Sequence, residues 1–216
     1  MRTEVYCQKN TYTLSVIPSI NHQPIAAGIA YPLDSTRSVR IDELRYYLSD
    51  IRFYDAKKRV SKDKAISHLV DIAIPESGNI TTTVKIKNNI NQVQFLLGTD
   101  SATNSKGAQA GNLDPSNGMY WTWQSGYIHL KMEGVITHTE KEPVSFQLHI
   151  GGYSFPYNSS MPVSLSVANQ NPMVIYFELL PFLKQLKADT NIQVMSPGSK
   201  AVALAAQLAG QFQTNP

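Results

Sequence analysis

Hydrophobic and polar residues alternate along most of this chain, which is the pattern of strands that bury one face. In the first such segment, Tyr12, Leu14 and Val16 share one side and polar residues separate them. Similar segments recur with turn-forming residues between them, which favours an antiparallel sandwich. The alternation predicts strands over residues 12–17, 44–54, 68–72, 82–86, 92–97, 127–133, 144–150, 163–167 and 173–177.

The longest of these segments changes parity in its middle. Apolar residues from Leu44 to Leu48 follow one parity, whereas Ile51 and Phe53 follow the other. A slip of one residue moves every following side chain to the opposite face of a sheet. We therefore predict a β-bulge at Ser49–Asp50, because a bulge restores the register with one extra residue.

Two segments near the C-terminus replace the alternation with the spacing of helices. The first covers residues 179–188, and the second covers residues 199–212 after Pro197–Gly198. No repeat, linker or break in composition divides the chain. We predict an all-β, single-domain antiparallel β-sandwich with a short C-terminal helix, spanning residues 1–216 with its core at about 12–212.

The composition excludes several classes of protein. The chain has 216 residues and a net charge of +3, and its basic residues do not form the stripe that a nucleic-acid partner requires. Cys7 is the only cysteine, so a disulfide framework is excluded, and its surroundings match a lipid-anchoring signal poorly. No apolar run is long enough for a transmembrane helix. We expect a monomer that has no nucleic-acid partner and no membrane span.

The composition is compatible with both a cytoplasmic and an exported protein. The first ten residues lack the apolar core of a signal peptide. The protein is therefore cytoplasmic, or its leader is absent from this chain. Many uncharged polar residues and few charges favour an exported protein.

Aromatic residues are concentrated between Gly118 and Tyr127. The run reads Gly-Met-Tyr-Trp-Thr-Trp-Gln-Ser-Gly-Tyr and contains both tryptophans, Trp121 and Trp123. On an extended strand these two side chains share a face. Such an aromatic face has three explanations: a large apolar core, a binding site for a flat ligand, or chemistry on an indole. A long polar loop, residues 98–118, precedes the run. Loops of this length are often functional, and its carboxylates make calcium binding an alternative, although the EF-hand pattern is missing.

Two histidines lie on strands that a short connection joins into a predicted hairpin. His129 and His149 both alternate with apolar residues, so both point away from the apolar face. If Glu133 pairs with Ser145, the two histidines are directly opposite each other, with Cβ atoms about 4.5–5.5 Å apart. Imidazole suits copper and zinc. The pairing predicts a candidate metal site, the alternative being two ordinary polar residues on an outer face.

The indoles extend this hypothesis. If the strand that carries His129 continues straight back through Gly126, Trp121 and Trp123 have the same parity as His129. Two imidazoles and an indole would then converge on one face of the sheet.

Several segments together resemble the MbnP-like family of periplasmic copper-binding proteins, which are associated with methanobactin uptake and with copper-repressed surface proteins of methanotrophs. The Trp-x-Trp-x-x-Gly-Tyr run is the most specific part of this resemblance, which covers roughly residues 12 to 212. The other similar segments are residues 44–51, 68–71, 131–134, 149–152 and 194–201.

The resemblance implies a β-sandwich with a single copper site. In the family, copper(I) is held by two histidines and a kynurenine made by oxidising a tryptophan. On this basis His149 matches a family ligand, and Trp121 or Trp123 is the residue that would be oxidised. The loop before the tryptophan run has no histidine, so His129 is the candidate for the second ligand, with His68 and His22 as the alternatives.

The resemblance also implies export to the periplasm or the outer-membrane surface and a maturation partner of the di-haem peroxidase type. We expect a copper-binding protein rather than an enzyme. The alternative is a metal-free surface or periplasmic module in which Trp121, Trp123 and Tyr127 form an aromatic platform for a sugar, a peptide or a partner protein.

Overall fold

A computed structural model describes residues 9–55, 58–85, 89–122, 125–186 and 191–214. Cys7 and Trp123 lie outside these ranges. Within them the chain forms the strands β1 (Lys9–Ile20), β2 (Gln23–Pro24), β3 (Ala30–Pro32), β4 (Arg37–Asp55), β5 (Lys58–Lys62), β6 (Ser67–Asp71), β7 (Asn79–Lys85), β8 (Gln92–Leu97), β9 (Tyr120–Thr122), β10 (Gly126–His138), β11 (Lys141–Gly151), β12 (Met161–Ser166), β13 (Met173–Glu178), β14 (Ile192–Val194) and β15 (Phe212–Gln213). The helices are α1 (Ser101–Ser105), α2 (Leu180–Gln185) and α3 (Ser199–Ala209), with short 3-10 turns at Pro75–Gly78, Gly111–Leu113 and Pro115–Asn117.

The strands form two sheets of unequal size. The smaller has the order β15-β13-β1-β2, with β7 also paired to β1. The larger has the order β12-β8-β4-β10-β11-β14, with β3, β5 and β6 on β4 and β9 on β10. The predicted mostly-β architecture is confirmed. Most pairs are antiparallel as predicted, but β1 with β13 and β11 with β14 are parallel.

Strand β4 organises the larger sheet because it pairs along both edges. Strand β10 pairs with residues 37–46 of β4 and β8 with residues 48–54, whereas β6 pairs with residues 45–49 and overlaps both. Strands β10 and β8 therefore follow one another along the same edge of β4. The register slips between Ser49 and Arg52, where Asp50 has a φ of 52°. The predicted bulge at Ser49–Asp50 is confirmed.

The main apolar core lies between the two sheets. Tyr46 from the larger sheet meets Phe177 from the smaller one edge-on, with ring centroids 5.1 Å apart. Phe177 stacks on Phe212 at 4.3 Å. Phe212 was predicted on the C-terminal helix, but α3 ends at Ala209 and Phe212 lies in β15. The helix ends before Gly210, a residue of low helix propensity.

A second apolar cluster covers the opposite, outer face of the larger sheet. Its buried members are Tyr47, Leu113, Met119, Tyr127 and Ile128, and Leu69, Tyr120 and Trp121 pack against it. The polar loop of residues 98–118 lies over this cluster. The outer face is therefore partly covered, and the candidate site lies at the edge of that cover.

Candidate metal site

The pairing of β10 with β11 differs from the predicted one. His149 lies opposite Lys131, and Ser145 lies opposite Val135. His129 belongs to a bulge, because Ile128 pairs with Gly151 and Leu130 with the next residue, Ile150. The prediction that His129 faces His149 is wrong by two residues. The two strands run on to a two-residue turn at Thr139–Glu140, where His138 pairs with Lys141. A register shift between Ile136 and His138 moves the pairing by one more residue before it reaches His149.

His149 has a carboxylate partner. Its side chain is only 10% exposed, and its Nε2 lies 2.6 Å from Oε1 of Glu133, one strand away. Burial raises the pKa of Glu133, but the hydrogen bond with His149 and the charge of Lys131 outweigh it and hold the pKa of Glu133 below its ordinary value. An ionised carboxylate therefore orients this imidazole.

The same carboxylate begins a row of charges across the outer face of the sheet. Lys131 Nζ lies 3.6 Å from Glu133 and 2.8 Å from Glu43 on β4. Arg45 Nη1 lies 3.0 Å from Glu43, and its Nε lies 2.7 Å from Asp71 on β6. We call this row, Glu133 to Asp71, the charge ladder. Because its charges alternate in sign, each carboxylate has a cation beside it.

Trp121 lies on the same face as His149. Strand β9 folds back on the start of β10, pairing Thr122 with Gly126, so the predicted straight continuation through Gly126 is wrong. In this pairing the indole lies over β11, where a Cβ added to Gly151 would lie 2.8 Å from Cζ3 of Trp121. Gly151 is two residues after His149 and therefore shares its face. A glycine at this position allows the indole to approach the strand next to the imidazole.

His129 has a different environment. It is 1% exposed, and its Nδ1 lies 3.2 Å from Oγ of the buried Ser159. Its Nε2 is buried and has no hydrogen-bond partner among the residues that the structure describes. Burial lowers the pKa of His129 to about 4, so the ring is neutral at pH 7 and Nε2 or Nδ1 carries a free lone pair. Gly98, at the end of β8, packs against the ring, since a Cβ there would lie 2.7 Å from Cγ of His129.

His68 is not brought to this site. It pairs across β6 and β4 with Leu48, and its Nε2 lies 2.7 Å from Oδ2 of Asp63. Its neighbour Leu69 packs on the outer cluster. Because successive residues of a strand point to opposite faces, His68 points away from the face that carries His149.

Tyr127 is a structural anchor rather than part of an exposed platform. It is fully buried, and its hydroxyl donates to the carbonyl of Leu113 at 2.9 Å. Its amide donates to Oδ1 of Asn104 at 2.9 Å. The prediction that Tyr127 offers a ring to a ligand is therefore wrong. Its contacts hold the loop of residues 98–118 on the sheet.

The carboxylates of this loop serve as caps. Asp100 accepts a hydrogen bond from the amide of Thr103 at 2.6 Å, and Asp114 accepts one from Ser116 at 2.8 Å. Both bonds satisfy amides at the starts of short helical turns. The calcium alternative gains no support from these side chains.

Sequence reasoning missed three residues of the site. Glu133 lies on the polar side of its predicted strand, with Lys131 and His129. A carboxylate on the same side as a candidate histidine was the signal that could have identified it. Gly98 and Ser159 contact His129 from other parts of the chain. Neither carries a local signal, because the pairing of β8 and β12 brings them there.

Among the described residues, no group of three or more histidine, cysteine, aspartate or glutamate side chains is arranged to hold a metal ion. The arrangement that exists is a carboxylate-bound imidazole beside an indole, with a second, buried imidazole on the adjoining strand. Fold and site together define a mostly-β protein with a candidate histidine site on the outer face of its larger sheet.

The family model named MbnP matches residues 9–196. The chain therefore belongs to the MbnP family. A solved structure, MbnP from Methylosinus trichosporium, is similar with a TM-score of 0.62 and 15% sequence identity, covering 90% of this chain and 87% of that chain. At this identity the likeness shows a shared fold. No curated protein matches the chain in sequence. No helix in the described ranges has the length and apolar character to span a membrane.

Proposed function

We propose that this protein binds copper(I) through His149, with His129 as the second nitrogen ligand and Trp121 beside them. The single observation that carries the proposal is the position of the Trp121 ring against Gly151, two residues from His149, in a chain that belongs to the MbnP family. Imidazole nitrogens are suitable ligands for copper. The protein is a binding protein on this proposal and not an enzyme.

The two imidazoles have properties that suit metal ligands. Histidines that bind metals commonly donate their second ring N–H to a carboxylate, as the contact between His149 and Glu133 allows. A buried polar atom without a partner is rare in proteins, and Nε2 of His129 has none within the described part of the chain. Its neutral ring has the lone pair that a metal requires. These features support His149 and His129; His68 is left out because it points to the opposite face of the sheet.

Oxidation of a tryptophan, Trp121 or Trp123, would add a nitrogen ligand for copper. Opening an indole to kynurenine creates an aryl amine, a nitrogen donor that the indole lacks. Trp121 is the candidate within the described residues, and Trp123 remains a candidate outside them. The oxidation requires an external oxidant, and the family resemblance implies a partner of the di-haem peroxidase type. We further propose export to the periplasm or the outer-membrane surface.

Copper(I) affinity tests this proposal. Competition with a chromophoric copper(I) chelator would be measured for the protein and for His149→Ala, with His68→Ala as a matched control on the other face. We expect His149→Ala to weaken binding at least about tenfold, equivalent to about 1.4 kcal/mol, and His68→Ala to leave it unchanged. Equal affinity for all three proteins would contradict the proposal.

The mass of the intact protein isolated from native cells tests the modification separately. Conversion of tryptophan to kynurenine exchanges a ring carbon for an oxygen, and peptide mapping would identify residue 121 or 123. An unmodified protein that still binds copper through His149 would remove kynurenine from the proposal and leave the histidines.

A further inference from the structure

We propose that Glu133 is a positioning residue that fixes His149 in one tautomer, so that Nδ1 is the ring atom presented to copper. This inference rests on the proposed function. It goes beyond the ligand assignment, because it names the ligating atom and the residue that selects it.

The argument starts from the short contact between the two side chains. Nε2 of His149 lies 2.6 Å from Oε1 of Glu133. The same Oε1 lies 3.6 Å from Nζ of Lys131, which can only donate, so Oε1 acts as an acceptor and Nε2 is the donor that carries the proton. In a neutral imidazole the other nitrogen is then unprotonated. The lone pair that can bind a metal is therefore on Nδ1, and no hydrogen-bond partner for Nδ1 is found within the described ranges.

Neighbouring side chains keep Glu133 in place. Lys131 Nζ lies 3.6 Å from Oε1 of Glu133 on the same strand. Across β11, Glu133 lies opposite Gln147, whose Oε1 accepts a hydrogen bond from Gln193 at 3.1 Å. The carboxylate is therefore held between a cation and a bonded amide. Its position does not depend on a bound metal.

Copper binding through Nε2 of His149 would cost more free energy than copper binding through Nδ1. Nε2 would lose its hydrogen bond to the carboxylate, and Glu133 would lose its shortest contact. Binding through Nδ1 keeps this bond. It also makes Nε2–H a better donor to the carboxylate as the metal withdraws charge from the ring, which is how outer carboxylates strengthen metal sites.

The nitrogen chemical shifts of His149 in metal-free protein test the tautomer without copper. Long-range nitrogen–proton spectra at pH 8 would be recorded for the protein, for Glu133→Ala and for Glu133→Gln. Glu43→Gln serves as the control, because it removes another carboxylate of the charge ladder that does not touch His149. Circular dichroism would confirm that each variant is folded.

We expect a single tautomer with the proton on Nε2 in the protein and in Glu43→Gln, and a mixture of tautomers in Glu133→Ala. Glu133→Gln keeps an acceptor oxygen and should be intermediate. A proton on Nδ1 in the unmodified protein, or identical spectra for the protein and Glu133→Ala, would overturn the inference.

Copper(I) competition on the same variants provides the second measurement. Glu133→Ala should weaken binding about 10–100-fold, as loss of an outer carboxylate does at other metal sites, whereas Glu43→Gln should not. An unchanged copper(I) affinity in Glu133→Ala would contradict the positioning role of Glu133. It would leave the proposal of copper binding itself intact. A protein that binds no copper at all would end the proposed function, and the tautomer spectra would still decide what Glu133 does to His149.

Discussion

His129 and His149 lie on adjacent strands of one sheet, yet the chain surrounds them in opposite ways. His149 is at a regular paired position and contacts a chain of charged side chains that reaches across the outer face. His129 is at a bulge, is fully buried and has Ser159 as its hydrogen-bond partner. The difference shows how a sheet can prepare two imidazoles differently, one oriented by charge and the other kept neutral by burial.

The packing around His129 should give the largest effect. Gly98 has a φ of 106°, and a Cβ there would overlap the ring of His129, whereas Gly28 has a φ of 77° with nothing within 4 Å. We expect Gly98→Ala to lower the free energy of unfolding by about 3 kcal/mol or more and Gly28→Ala by about 1 kcal/mol, since overpacking adds to the cost of a positive φ. Urea unfolding would measure both. Equal losses would show that His129 is not tightly enclosed.

The protonation of His129 predicts a pH dependence of stability. Its pKa is about 4 in the folded protein, below the ordinary value of 6.5. The unfolded chain therefore binds a proton first, so stability is complete above about pH 6.5 and falls as the pH drops toward 4. In metal-free protein we expect a loss of about 2 kcal/mol between pH 7.5 and 5 that His129→Gln does not show. The same loss in both proteins would assign it to other groups.

A smaller effect is expected at the hydrogen bond of His129. Ser159→Ala leaves Nδ1 without its buried partner, so the free energy of unfolding should fall by about 1–2 kcal/mol. Ser160→Ala is the control, because the Ser160 hydroxyl makes a local bond to Asn158 near the surface. It should change stability by less than about 0.5 kcal/mol. Equal losses of unfolding free energy for Ser159→Ala and Ser160→Ala, measured by urea unfolding, would contradict this role of Ser159.

The charge ladder near His149 should contribute least to stability. Glu43 is 23% exposed and its partners are partly in contact with solvent. Glu43→Gln should therefore lower the free energy of unfolding by less than about 1 kcal/mol, and the difference should shrink in 1 M salt. A loss as large as that of Ser159→Ala would mean that the ladder is a stabilising element and not mainly an orienting one.

Alternation along the chain was sufficient to predict much of the fold. It identified most strands, and the change of parity after Leu48 correctly located the bulge at Ser49–Asp50. The bulge could be located because the strand has buried apolar side chains both before and after it, and their parity shows which face each part of the strand buries. The parallel pairings and the loop over the outer cluster could not be predicted, because they depend on contacts between residues distant in sequence.

The candidate site was predictable only in part. His149 and Trp121 do share a face, but the hairpin register was misjudged. The turn at Thr139–Glu140, the register shift between Ile136 and His138 and the bulge at His129 leave no mark on the alternation. The bulge also places Ile128 in the outer cluster, although it was predicted beside Leu130 on the apolar face. Register is set by turns and bulges, and alternation constrains it only to within two residues.

Crystals of the protein grown with copper(I) under anaerobic conditions would test the central claim most directly. An anomalous difference map at the copper absorption edge locates the ion without any assumption about its ligands. We predict one strong peak on the outer face of the larger sheet, within bonding distance of the His149 ring and beside residue 121. A peak elsewhere, or full copper occupancy with His149 still bonded to Glu133 and far from the ion, would contradict this account.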